Sequence, residues 1–393
     1  MIFIILLLSI FLVLIRWYKI DSSLNSGLLV YGIFIFLYSV FPLYYLEFGS
    51  NVVNIELPLL NKEISHYISL TIISINIFLF TITFYNRRVF CINYDVNGRF
   101  EIFARILFPI LSPIVLVLVW FYPWPKYGEE VTVMTSVATF SKTILLLVFS
   151  SLSISRSKNK ISSYKFFLFL LILLFISIVD TARTHMMIAI FIYFYGERYS
   201  LKKALSMFPF LLALFFIFVY MTLRRTDIEF SFGLVLWPFF SEAIFGSYGA
   251  YQTVEIINNN GSFLGSPIYF IYDNFISLFN LTNFFQSHIL EVISNAMSNG
   301  VISLKYYPLG GHFFLSEFMI YFGYSVIFLF PIFYYFFFKV IRKLPGELYV
   351  IYLSMSFMLI KAPILVIIKT AILILIAYYF FSLITRILIR VNN

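Results

Sequence analysis

Charge is scarce in this sequence. Asp, Glu, Lys and Arg make up 11% of its 393 residues, against roughly one-quarter in water-soluble domains, while 62% are hydrophobic. Such a chain cannot cover itself with polar surface, which excludes a soluble globular enzyme and leaves the bilayer as its main solvent. The single cysteine, Cys91, excludes a disulfide framework and a cysteine metal site. There is no Walker loop, dinucleotide fingerprint, His-Glu-x-x-His helix or nucleophile elbow. ATP hydrolysis, hydride transfer, zinc proteolysis and the common serine chemistry therefore lack their usual parts. The net charge of +9 is not gathered into a basic stretch on a soluble fold, which argues against nucleic acid as a partner.

What is present is a succession of long apolar runs. Runs such as 144–148 and 166–179 do not alternate apolar with polar residues, so a barrel is excluded and helices must carry the chain across the bilayer. Breakers and charges divide the runs into eleven expected spans, near 2–17, 26–45, 67–85, 103–122, 138–155, 164–180, 184–197, 204–222, 313–338, 347–361 and 364–387. The first is read as a retained span, because no basic region precedes it and no small-residue cleavage site follows. The expected fold class is all-α, a polytopic membrane protein forming one domain over 1–393.

Most of the 27 Lys and Arg residues fall at alternate span ends, in clusters at 16–19, 87–105, 156–165, 198–203, 339–343 and 386–390. The positive-inside bias makes those ends cytoplasmic, so the N-terminus is expected outside and the C-terminus inside. The segment 223–311, about ninety residues, departs from the short connections usual between helices. It is rich in Phe, Tyr and Trp and poor in charge, which argues against disorder. The stretches 230–251 and 264–285 read as interfacial or re-entrant helices rather than a further pair of spans. No fixed-period repeat and no matched pair of broken spans is found, which disfavours a transporter.

The residues that could carry chemistry lie near the outer face. Arg183, between Asp180 and His185, is held at the membrane boundary by a very short connection. It suits an anion, though snorkelling or a pair with Asp180 would also accommodate it. Arg224 and Arg225 stand where the eighth span opens into the long segment, against the charge bias, and guanidinium groups bind phosphate oxygens bidentately. Gly310 and Gly311 precede His312, and Glu317 and Tyr321 share one helix face four residues apart. Glu317, a carboxylic acid well inside a span, needs a partner or a task. His312 is a possible general base. Glu242, Tyr248 and Tyr251 pair a carboxylate with aromatic rings, as sugar sites do. Lys142, Lys361 and Lys369 lie within or at span ends, where they could bind phosphate, though snorkelling is the plainer account.

An arginine opening a short span, arginines entering one long outer segment, and a Gly-rich return into a Glu-bearing aromatic span form a plan that resembles the Wzy-type O-antigen polymerases. The segments that carry it are 180–185, 223–227 and 309–323. The resemblance implies a GT-C-like glycosyltransferase of the bacterial inner membrane, N-terminus periplasmic and C-terminus cytoplasmic. Its 223–311 segment would be a large periplasmic loop, where it joins undecaprenyl-pyrophosphate-linked oligosaccharide repeats without cofactor or metal. Arg183, Arg224 and Arg225 would hold the pyrophosphate; Glu317, His312 or Glu242 would serve as base; Tyr248, Tyr251 and Tyr321 would meet sugar. Implied partners are the lipid-linked donor and acceptor, membrane lipid and a chain-length regulator protein. An O-antigen ligase, a flippase of lipid-linked oligosaccharide and a membrane O-acyltransferase are the competing readings.

Overall fold

The computed structural model describes residues 1–20, 27–48, 62–85, 98–125, 132–181, 183–195, 208–226, 249–258, 267–279 and 314–391, with single positions between 287 and 299. Among them the backbone is helical with no strand, as hydrocarbon demands of a chain that must satisfy its own amides. The helices are α1 (Ile2–Ile20), α2 (Gly27–Phe48), α3 (Lys62–Tyr85), α4 (Gly98–Phe121) and α5 (Val133–Ser157). Then come α6 (Ser163–Asp180), α7 (Arg183–Phe194), α8 (Phe208–Thr226), α9 (249–258) and α10 (Pro267–Leu278). The last are α11 (Phe314–Phe322), α12 (Val326–Ile341), α13 (Gly346–Ser354), α14 (Met358–Lys361) and α15 (Ile364–Val391).

Among the described residues six stretches are long and apolar enough to cross a membrane, including Phe100–Phe121, Val133–Ser157 and Phe314–Ile341. Shorter apolar helices cover Ile2–Arg16, Val30–Val40, Arg183–Phe194 and Leu212–Met221, each overlapping an expected span, with the third starting one residue before its own. The expected span near 347–361 is broken, α13 giving way to α14 around 355–357. The chain is thus an all-α membrane protein.

Its surface confirms the solvent. In α4 the residues Ile102, Ile106, Ile110 and Ile114 are exposed in a four-residue rhythm, while Phe100, Ala104 and Phe108 are buried on the other side. A helix apolar on both faces belongs in lipid. By contrast α5 is the axis of the fold: 72% of its most apolar window is buried, against 28% for α4 and α15. Its serines Ser150, Ser151, Ser153 and Ser155 are fully buried on several sides of the helix, small residues that let neighbouring backbones approach. Ser150 Oγ donates to the carbonyl of Glu347 at 2.9 Å, tying α13 to α5. A buried polar chain joins the first three helices: Tyr31 donates to Asn76 Oδ1 at 2.8 Å, and Asn76 Nδ2 donates to Ser9 Oγ at 2.9 Å.

The bundle has two unlike ends. At one, two arginines close helix C-termini, where unpaired carbonyls attract cations. Arg16 donates to Thr83 O and Phe84 O at 2.8 and 2.9 Å. Arg156 donates to Tyr193 O and Tyr195 O at 2.9 and 3.2 Å, and its guanidinium lies over the Phe166 ring at 4.6 Å. Lys160 and Arg105 meet Glu101 there as well. The opposite end gathers the end of α4, the α6–α7 turn and the start of α11. Between α11 and α12 the chain passes through a 3₁₀ turn, Gly323–Ser325, where Gly323 adopts φ 55°, a left-handed conformation that a side chain would disfavour.

Candidate functional site

Two clusters stand at the end away from Arg16 and Arg156. The first is built by α5, α6 and α7. Lys142 and Asp180, 2% and 1% exposed, form a buried ion pair. The second oxygen of Asp180 accepts the backbone N–H of Trp124 at 2.8 Å, fastening the segment after α4 to the end of α6. Thr181 then turns the chain in the left-handed region, φ 57°, its N–H bonded to Ile178 O. A non-glycine residue held there is locally strained. The turn lets α7 start at once with Arg183, itself buried, its guanidinium 5.3 Å from the Phe218 ring of α8. His185 follows, its Nδ1 buried with no hydrogen-bond partner among the described residues and within electrostatic range of Lys142.

This cluster departs from the sequence reading in one respect. Lys142 does not snorkel: it lies on the inward face of α5, where an uncompensated ammonium would be costly, and Asp180 compensates it. Arg224 is exposed near the end of α8. The backbone of Arg225 lies beside it, while its side chain lies outside what is described.

The second cluster is built by α10, α11 and residue 288. Asp273, 3% exposed, accepts from Tyr321 Oη through Oδ2 at 2.8 Å. Its Oδ1 accepts the backbone N–H of His288 at 2.9 Å and lies 3.1 Å from the ring Nδ1. A carboxylate only accepts, so Nδ1 carries the proton, and in the neutral imidazole the lone pair is then on Nε2. The imidazole stacks on Tyr269, centroids 4.1 Å apart, and meets Tyr272 edge-on at 5.0 Å. Such an arrangement can take a proton from, or return one to, a group at the ring edge.

Glu317 and Tyr321 do share a face of α11, as their spacing requires, and both are buried. Glu317 Oε2 accepts the N–H of Ile364 at 2.9 Å, so this carboxylate caps the opening turn of α15, where the helix dipole favours negative charge. Glu317→Ala is expected to lower stability by about 1–3 kcal/mol, the cost of a buried donor left unpaired. Glu317→Gln, which keeps an acceptor, should retain most of it. Thermal unfolding in detergent checks both, and an Ala variant as stable as the native chain would show that the cap is unimportant.

Tyr251, 2% exposed, lies in α9, whose Gly249 approaches Ser316 so closely that a Cβ there would sit 3.0 Å from Ser316 Oγ. Glu242, Tyr248 and His312 lie outside the described residues. His288 and Asp273 were missed as a pair. The sequence signal for Asp273 is a lone carboxylate amid Pro267–Leu278 with no charged neighbour on that helix.

The fold and site define an all-α membrane protein with two buried polar clusters at one end of its bundle. No protein-family model, no curated protein and no solved structure matches the chain.

Proposed function

We propose that the chain is a membrane glycosyltransferase that joins undecaprenyl-pyrophosphate-linked oligosaccharide repeats on the periplasmic face of the bacterial inner membrane, an O-antigen polymerase. The observation that carries this reading is the buried Arg183, which opens α7 beside the Lys142–Asp180 pair at the same end of the bundle as Asp273 and Tyr321. A guanidinium fixed at a helix start can neutralise a pyrophosphate as it leaves the anomeric carbon, which is where charge develops in glycosyl transfer. Arg224, and Arg225 by its place in the chain, would meet the same anion from the end of α8. The eleven-span count, the orientation and a GT-C-like architecture belong to this proposal.

A flippase of the same lipid-linked sugar is the second reading. It is favoured by Lys142 and Asp180, buried between helices as coupling charges in transporters are. The purified chain in nanodiscs, given lipid-linked oligosaccharides extracted from its host's membranes, decides between them. A ladder of longer lipid-linked products is expected, and no lengthening together with movement of the lipid between leaflets would overturn the polymerase reading.

A further inference from the structure

A carboxylate fixed on both sides is an unusual thing to find at the edge of a membrane bundle, and Asp273 is fixed by Tyr321 on one oxygen and by His288 on the other. Its burial contrasts with the rings around it. His288 is 30% exposed and Tyr269 and Tyr272 are each 37% exposed, whereas Asp273 is 3% exposed. The acid is dry and the imidazole reaches the medium. Nε2 of His288 has no hydrogen-bond partner among the described residues.

The helix bearing this group also says where it stands. α10 has 12 residues, about 18 Å of helix, too short by itself for a hydrocarbon core of about 30 Å. It packs on α11 and α15 through one face, which holds Phe270 and Asp273. Its other face exposes Ile268, Ile271 and Phe275. An exposed apolar stripe on a short helix with a buried polar face belongs at the bilayer surface, the stripe in lipid. Tyr269 and Tyr272 then occupy the flank between lipid and protein, where aromatic rings with a polar tip are favoured.

We propose that His288, held by Asp273 and walled by Tyr269 and Tyr272, is the proton acceptor for a membrane-tethered saccharide whose sugar hydroxyl is the nucleophile of the transfer. This rests on the glycosyltransferase reading. The acceptor hydroxyl oxygen forms its bond to the anomeric carbon of the donor, and the bond from that carbon to the pyrophosphate oxygen breaks. The electron pair leaves with the lipid pyrophosphate, and the hydroxyl proton passes to Nε2. Tyr269 and Tyr272 offer the sugar an aromatic edge at the depth where a polyprenyl-linked sugar emerges from lipid. Asp273 and Tyr321 are positioning residues: they hold the tautomer that leaves Nε2 basic and do not themselves touch the sugar.

The test is the nanodisc ladder assay, run with the host's lipid-linked oligosaccharides as probe. His288→Ala is expected to slow chain extension about 10²- to 10⁴-fold, the usual weight of a general base, and His288→Gly should be partly rescued by added imidazole. Asp273→Asn and Tyr321→Phe should lower kcat with KM little changed and displace the acid limb of the pH–rate profile. The groups facing the imidazole are Asp273, Tyr269 and Tyr272 from α10, with Tyr321 of α11 across the carboxylate. Tyr269→Ala should instead raise KM for the acceptor. Wild-type rate in a monodisperse His288→Ala protein would overturn the assignment while leaving the polymerase reading intact. A slow His288→Gly protein that imidazole does not rescue, with the pH profile unmoved in Asp273→Asn, would mark the cluster as structural. A wild-type chain that builds no ladder would overturn both.

Discussion

Lys142→Ala and Asp180→Asn, made separately, are each expected to remove most of the folded protein from the membrane, whereas Lys142→Met combined with Asp180→Asn should restore it. Both side chains are buried and bonded to each other. Removing one partner strands the other charge in a low-dielectric interior, a loss of about 3–5 kcal/mol from a total stability of about 5–15 kcal/mol. The double variant removes both charges together. Asn at 180 also keeps a carbonyl for the Trp124 N–H, which Asp180 accepts in the native chain at 2.8 Å. Monodisperse protein recovered in detergent, and its half-life on warming, measures the difference. Singles as stable as the native chain would show that neither charge depends on its partner. A double variant that folds normally but forms no ladder would place the pair in the working of the site rather than its construction.

The same pair shows why parts of this protein are legible in its sequence and others are not. Spans are written as long apolar runs because hydrocarbon permits no alternative, and among the described residues helix is found in each run, broken in the one near 347–361. The shared face of Glu317 and Tyr321 follows from a four-residue spacing alone. Lys142 is different: whether a lysine snorkels or pairs depends on which face of α5 turns toward α6, and apolarity all round a membrane helix hides that face. Asp273 lies 15 residues from His288 and 48 from Tyr321, distances that carry no periodic signature. The pairing exists only because α10 lies across α11. Glu317, a candidate base in the sequence, also caps the start of α15. Capping from a helix 47 residues away leaves no local pattern to read.

Arg183→Ala is expected to slow chain extension about 10²- to 10³-fold, the usual cost of losing one preorganised charge stabiliser, with nearly native amounts of protein in the membrane. The guanidinium lies 5.3 Å from the Phe218 ring, a cation–π contact of about 0.5–2 kcal/mol, and the rate per folded molecule separates chemistry from stability. A large fall in rate at equal amounts of folded protein would belong to the chemistry. Lys at 183 should recover only part of the rate, because an ammonium supplies the charge without the planar two-donor edge that matches a phosphate. Arg224→Ala should be milder, since that side chain is exposed near the end of α8, and its effect should weaken with added salt as screened attraction does. Ladder length, compared with protein abundance in the same membranes, reads all three variants. A native ladder from Arg183→Ala at native abundance would remove the arginine from the site and leave the pyrophosphate without its principal anchor.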